Sequence, residues 1–185
     1  NYSVLKYVPE LPSKVWGLNE IAQRADVIRS FLLKKYGGAW IDSDIMFVKK
    51  IDFFFDYLEK YSLVSFNEDA APSDEWRLRV GVLFSRPNDP IITRWNEKQI
   101  KLLNKPQIYK WTSFGSDSLH EAAKELNFQD LKIGQIKDIE PIHWKQSKLF
   151  HSETLNIDAV IGENTSMLSL HNSQLYKKVF SNKSF

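Results

Sequence analysis

The stretch RADVIRSFLLKKYGGAWIDSDI, residues 24–45, constrains the fold more than any other part of the chain. A helical run stops at a double glycine, a short apolar strand follows, and the strand gives way to two aspartates one residue apart. Asn19 reads as the N-cap of a helix that extends through Tyr36. Ile21, Ala25, Ile28, Leu32 and Tyr36 recur at the helical period and define its expected apolar face. Gly37 and Gly38 end the helix, because glycine accepts the left-handed conformation of a C-cap at little cost.

The remaining segments continue the alternation. Residues 3–8 read as a short strand, followed by a proline-containing loop. AWI (39–41) and IMFV (45–48) are apolar and extended, with DSD between them, and FFFDYLEKY starts a short helix. SLVSF (62–66) is a strand, NEDAAPSDEW an acidic loop, RVGVLFS (79–85) a buried strand and PIITRWNEKQIKLLN a helix. A further helix starts near Ser116 or Asp117, and strands are expected near 132–136, 139–142 and 166–170. Strands alternating with helices predict an α/β fold with a mixed sheet.

Composition sets the limits. A chain of 185 residues, 43% hydrophobic, is long enough for one domain with a substantial core, and residues 1–185 are expected to form a single domain. Twenty-five basic against 23 acidic residues leave a net charge of +2, so bulk electrostatics give no argument for a nucleic-acid partner. The absence of cysteine removes disulfides, thiolate metal sites and cysteine nucleophiles together. No apolar run approaches the ~18 residues of a membrane span, so membrane association is expected only through segments outside this sequence or through partners. A cytoplasmic location, extending to the membrane periphery, is the expectation. A start at Asn1, within an expected strand, suits a fragment or the ordered part of a longer protein.

Asp42 and Asp44 repel each other unless something positive sits between or beside them. A bare Asp-x-Asp is weak evidence, but this pair lies at the carboxyl end of an apolar strand, where open α/β sheets place their ligands. In extended chain the two project to one side with Cα atoms roughly 6.5–7 Å apart. That is too far for an easy symmetric clamp on one ion, so one carboxylate suits a metal and the other a sugar hydroxyl or metal-bound water. Oxygen donors with a diphosphate suit Mg²⁺ or Mn²⁺. The competing reading is an exposed acidic turn. Asp26 and Arg29 are helix-surface neighbours at the border of the apolar stripe. They read either as an ordinary ion pair or as groups delivered beside the aspartates.

Taken together, Ala25, Asp26, Arg29, Leu33, Tyr36, Gly37, Gly38, Asp42 and Asp44 follow the order A-D-x-x-R, helix ending Y-G-G, apolar strand, D-x-D. This pattern resembles the sugar-nucleotide signature of GT-A glycosyltransferases. Among them are the capsular polysaccharide synthesis proteins, the α-mannosyltransferase-type family with a DXD sugar-binding region, and the large clostridial glucosylating toxins. The likeness is strong over residues 19–50 and loose elsewhere, with Ala25 in place of the usual serine and Trp40 as the usual strand aromatic.

The resemblance implies a GT-A-like mixed sheet flanked by helices, without its amino-terminal strand, and a metal-dependent glycosyltransferase acting in bacterial surface polysaccharide synthesis. Donor and acceptor would be a nucleotide sugar and a glycan or other hydroxyl compound. Asp26 and Arg29 would hold donor hydroxyls, with Gly38 allowing close approach. Asp42 would touch ribose, sugar or metal, and Asp44 the metal, Mn²⁺ or Mg²⁺. His171, at the end of the apolar strand MLSL, would be a further metal ligand, and Lys177 would touch the diphosphate. The resemblance also implies retention of anomeric configuration, but no residue stands out as a nucleophile. Asp117 reads as a pocket-lining group or as a helix N-terminal carboxylate. His120, His143 and His151 read as structural or solvent-facing.

Two rival functions remain. One is a module that binds a nucleotide sugar without turnover. The other is a haloacid-dehalogenase-type phosphatase, which would need a downstream G-D-x-x-x-D type motif that the sequence lacks and would leave the Y-G-G helix unexplained.

Overall fold

The helix expected after Asn19 is α1, Ile21–Tyr36, and the double glycine accounts for its end. The Gly37 N–H closes the last turn onto Leu33 O at 2.8 Å, with φ at +63°. A Cβ there would lie 2.6 Å from Pro87 N, so both space and backbone conformation require glycine. Gly38 also has positive φ, +84°, but nothing crowds it. The N-cap is Glu20 rather than Asn19, and its side chain makes no capping bond.

The buried face of α1 is not the one the apolar period marked out. Ile21 is 78% exposed and Tyr36 53%, whereas Gln23, Asp26, Arg29 and Ser30 are buried beside Val27, Phe31 and Leu33. The apolar count misled because the polar side chains of the buried face are hydrogen-bonded inside, which removes most of the cost of burying them.

The computed structural model describes residues 4–68, 77–105 and 107–171. The described residues up to Trp40, with Phe54–Gly134, form one compact unit; Ile41–Phe53, with the described residues from Gln135 onward, form another.

The first unit carries the larger sheet. In chain order α1 is followed by β1 (Gly38–Ile41), by β2 (Ile45–Phe47), which belongs to the second unit, and by α2 (Asp52–Asp56) and β3 (Leu63–Glu68), then β4 (Arg77–Leu78) and β5 (Val82–Ser85). Helices α3 (Pro90–Leu103) and α4 (Ser116–Glu125) lead into β6 (Leu131–Gly134). The strand order is β1-β5-β3-β4, with β6 also pairing with β3. β3 is antiparallel to β5 and β4 but parallel to β6, with Leu63 opposite both Ser85 and Leu131. The sheet is therefore mixed, as the alternation of strands and helices predicts.

Leu63, Leu83, Ile92, Trp95 and Leu119 form the centre of one core cluster, while Val8, Val15, Phe31 and Phe114 belong to a second beside α1. Truncating a leucine in such a cluster costs about 2–5 kcal/mol. The expected first strand is instead a 3-10 turn, Val4–Lys6, with a second at Ser13–Gly17.

In the second unit β2 runs antiparallel to β7 (Met167–Ser169), with Ile45 opposite Ser169. A 3-10 segment, Trp144–His151, and a short helix, α5 (Ile157–Val160), precede β7. The strand expected at 139–142 does not form. Ile139 and Ile142 are buried, but the Ile139 and Glu140 N–H groups bond back to Ile136 O, so the backbone is satisfied by a turn. Among the described residues no helix is long and apolar enough to cross a membrane.

Candidate functional site

β1 ends at Ile41, and Ile45 N–H donates to Asp42 O at 3.1 Å, closing a turn over Asp42–Ile45. The expectation of extended chain through both aspartates is overturned. The chain leaves β1 here and enters β2 through this turn. Asp42 and Asp44 are half-buried in it, and each has a partner within the chain.

The same turn receives the end of β7. Leu170 N–H donates to Asp44 O at 2.9 Å, so His171 follows directly after the residue bonded to Asp44. Sequence reasoning paired Asp44 with His171 as metal ligands, and their backbones do come to the same end of the β2–β7 pair. The imidazole is 6% exposed and held by its neighbours. Nε2 donates to Ile142 O at 2.8 Å and lies 3.5 Å from Glu140 Oε1, while Nδ1 is 3.4 Å from Ser169 Oγ. The residue adopts φ of +51°, a left-handed conformation uncommon outside glycine.

The donor chemistry can be tested against a divalent cation. Two carboxylates, with phosphate oxygens and water to complete the shell, are donors of the kind that suit Mg²⁺ or Mn²⁺. His171 donates through Nε2–H to Ile142 O, the kind of bond that orients a ligating imidazole, so Nδ1, beside Ser169 Oγ, is the nitrogen a metal would use. Among the described residues no cluster of three or more His, Asp or Glu side chains is arranged to hold a metal ion. Lys177 lies outside the described residues.

Asp26 and Arg29, in the first unit, are at the centre of a buried polar cluster rather than at the border of a stripe. Arg29 Nη1 lies 3.3 Å from Asp26 Oδ1 and donates to Val80 O at 2.5 Å. The guanidinium also sits over the Trp40 ring at 4.8 Å, which ties α1 to β1. Gln99 Nε2 donates to Asp26 O at 3.1 Å and to Phe114 O at 2.6 Å, while its Oε1 lies 2.5 Å from Ser30 Oγ. Asn96 Nδ2 completes the set by donating to Ser30 Oγ at 3.0 Å. Ser30, Asn96 and Gln99 escaped sequence reasoning. The available signal was the spacing of Gln23, Asp26 and Ser30, polar residues at i, i+3 and i+7 of one helix.

Gly38 is exposed and open, which leaves its backbone accessible. Asp117 accepts from Thr112 Oγ1 at 2.5 Å and pairs with Arg77 Nε at 3.4 Å, combining a helix N-terminal position with a place in a cavity wall. His120 packs against Phe128, and His143 Nδ1 accepts from Lys145 N–H at 3.3 Å, both local structural roles.

A family model described as capsular polysaccharide synthesis protein matches residues 14–181. No curated protein matches the chain.

Proposed function

The chain belongs to the family of capsular polysaccharide synthesis proteins, and on that premise we propose that it is a glycosyltransferase. It moves a sugar from a nucleotide-sugar donor to a glycan or other hydroxyl acceptor, with Mg²⁺ or Mn²⁺ as cofactor. The observation that carries this reading is the Asp42–Ile45 turn, which sets two half-buried carboxylates where β1 ends and holds β7 by a backbone bond.

Asp44 is the proposed metal carboxylate, and Asp42 a contact to metal, sugar or ribose. These carboxylates would hold a divalent cation, which would supply positive charge against the charge that develops on a departing nucleoside diphosphate. The exposed backbone at Gly38 and the Lys177 ammonium are proposed donor contacts. The burial of Asp26 and Arg29 favours a positioning role, through Trp40 and Val80, over the direct grip on sugar hydroxyls that the resemblance implies.

A thermal-shift panel of UDP- and GDP-sugars, with Mn²⁺ or with chelator, tests the reading. One donor should raise Tm only with Mn²⁺, and Asp44→Asn should remove that rise. Stabilisation by no donor, or stabilisation indifferent to both metal and Asp44, would overturn it. Metal-dependent donor binding without release of nucleoside diphosphate would identify a silent binding module instead.

A further inference from the structure

Between α3 and α4 lies a half-open cavity of about 300 Å³ that none of the residues assigned above to donor or metal explains. This is close to the lower end of ligand pockets, roughly 300–1,000 Å³, and suits a single sugar unit. One wall is α3 and its end, with Lys98, Lys101, Leu102 and Lys105; the other includes Ser113, Asp117 and Glu121.

The charges in this lining do not cancel. Glu121 pairs with Lys98 at 3.3 Å, and Lys98 also meets Glu125 at 2.7 Å. Burial works against the Lys98 ammonium, but hydrogen bonds to Glu125 and Glu121 outweigh it and hold its pKa above the ordinary lysine value. Asp117 is neutralised by Arg77. Lys101 and Lys105 have no acidic partner among the described residues, so the cavity carries a positive surplus.

The rest of the lining argues against a bare anion. A compact ion leaves the acceptors of this wall unused, whereas Asp117, Glu121 and Ser113 can all accept from hydroxyl hydrogens. Leu102 offers an apolar contact of the kind a sugar ring's C–H face accepts. The start of α4, whose dipole favours negative charge, lies on the same side as Ser113.

We propose that this cavity binds an acidic sugar unit of the glycan, its carboxylate or phosphate held by Lys101 and Lys105 and its hydroxyls by Ser113, Asp117 and Glu121. The proposal rests on the transferase reading only in making that sugar part of the acceptor.

Ligand-observed NMR titration of the full chain with D-glucuronate, D-glucose 6-phosphate, D-glucose and inorganic phosphate tests it. One of the two acidic sugars should bind at least about tenfold more tightly than glucose and inorganic phosphate, and which one identifies the acidic group. The double variant Lys101→Gln, Lys105→Gln, both exposed positions, should stay close to the wild-type Tm and lose that preference. Glucose or phosphate binding as well as the acidic sugars, unchanged binding by the double variant, or no binding at all would overturn the proposal. Mn²⁺-dependent stabilisation by the donor, measured on wild type and double variant alike, keeps the two readings separate. Its presence alongside a failed titration rejects the cavity proposal alone, and its absence in wild type rejects the transferase reading alone.

Discussion

The Asp26 carboxylate lies against Gly115, where a Cβ would come within 2.8 Å of Oδ2 and 3.2 Å of the carboxyl carbon. Gly115 is the N-cap of α4, so a buried carboxylate from α1 faces the positive end of another helix. Gly115→Ala should therefore push Asp26 off Arg29 and cost about 1–3 kcal/mol, as overpacking does. Gly17→Ala is the control, since nothing lies within 4 Å of a Cβ there. Urea unfolding of the two variants should separate them clearly, and equal midpoints would show that the contact is soft.

Removing either member of the Asp26–Arg29 pair tests the same cluster from inside. An exposed pair at this spacing would contribute well under ~1 kcal/mol. With side chains 9% and 4% exposed, truncating one leaves the other charge buried, and a loss of about 3–5 kcal/mol is expected. Asp26→Ala and Arg29→Ala should each show it in equilibrium unfolding. Losses below ~1 kcal/mol in both would return the pair to the surface class.

Asp89 caps α3 and gives the fold a pH dependence with a definite sign. Its Oδ1 accepts from Ile92 N–H at 2.7 Å and its Oδ2 from Ser62 Oγ at 2.5 Å. Burial raises its pKa above the ordinary carboxylate value, although these hydrogen bonds oppose the rise. A raised folded pKa means that this stabilising contribution is complete below the unfolded value of 3.8 and is lost as pH rises through the folded one. Asp89→Asn keeps an acceptor for Ile92 and carries no charge. It should match or exceed wild-type Tm at pH 7 and lose that advantage below about pH 3.8. Asp89→Ala removes the cap and should cost about 1 kcal/mol at either pH. An asparagine variant as unstable as the alanine variant at pH 7 would contradict the sign.

Much of this architecture is legible in the sequence because local chemistry decides it. Gly37 ends α1, Pro90 and Asp89 start α3, and the apolar run before Asp42 forms β1. What was illegible depends on partners distant in the chain. No window around Asp26 reveals that Gln99, Val80 and Gly115 will enclose it, so an apolar count assigned the wrong face to α1. The turn at Asp42–Ile45 was hidden for a different reason. Two apolar runs flanking DSD look alike, whereas β1 joins β5 and β2 joins β7 in separate sheets.

His171 combines a role the sequence proposes with one the structure shows, and experiment can separate them. If metal ligation were its whole role, its removal would leave the metal-free protein as stable as wild type and abolish stabilisation by Mn²⁺. As a buried donor to Ile142 O, beside Glu140, its removal should destabilise the metal-free protein itself. His171→Ala is expected to cost about 1–3 kcal/mol in chelator, because the Ile142 carbonyl is left unsatisfied. Asp44→Asn serves as the comparison, since the bond to Leu170 uses the backbone carbonyl of Asp44 and survives the substitution. Its metal-free stability should stay within about 1 kcal/mol of wild type while donor stabilisation by Mn²⁺ is lost. The two variants should thus fail in different ways, one in stability and one in metal response. A His171→Ala protein with wild-type Tm in chelator and no response to Mn²⁺ would restore the imidazole to the metal and remove its structural role.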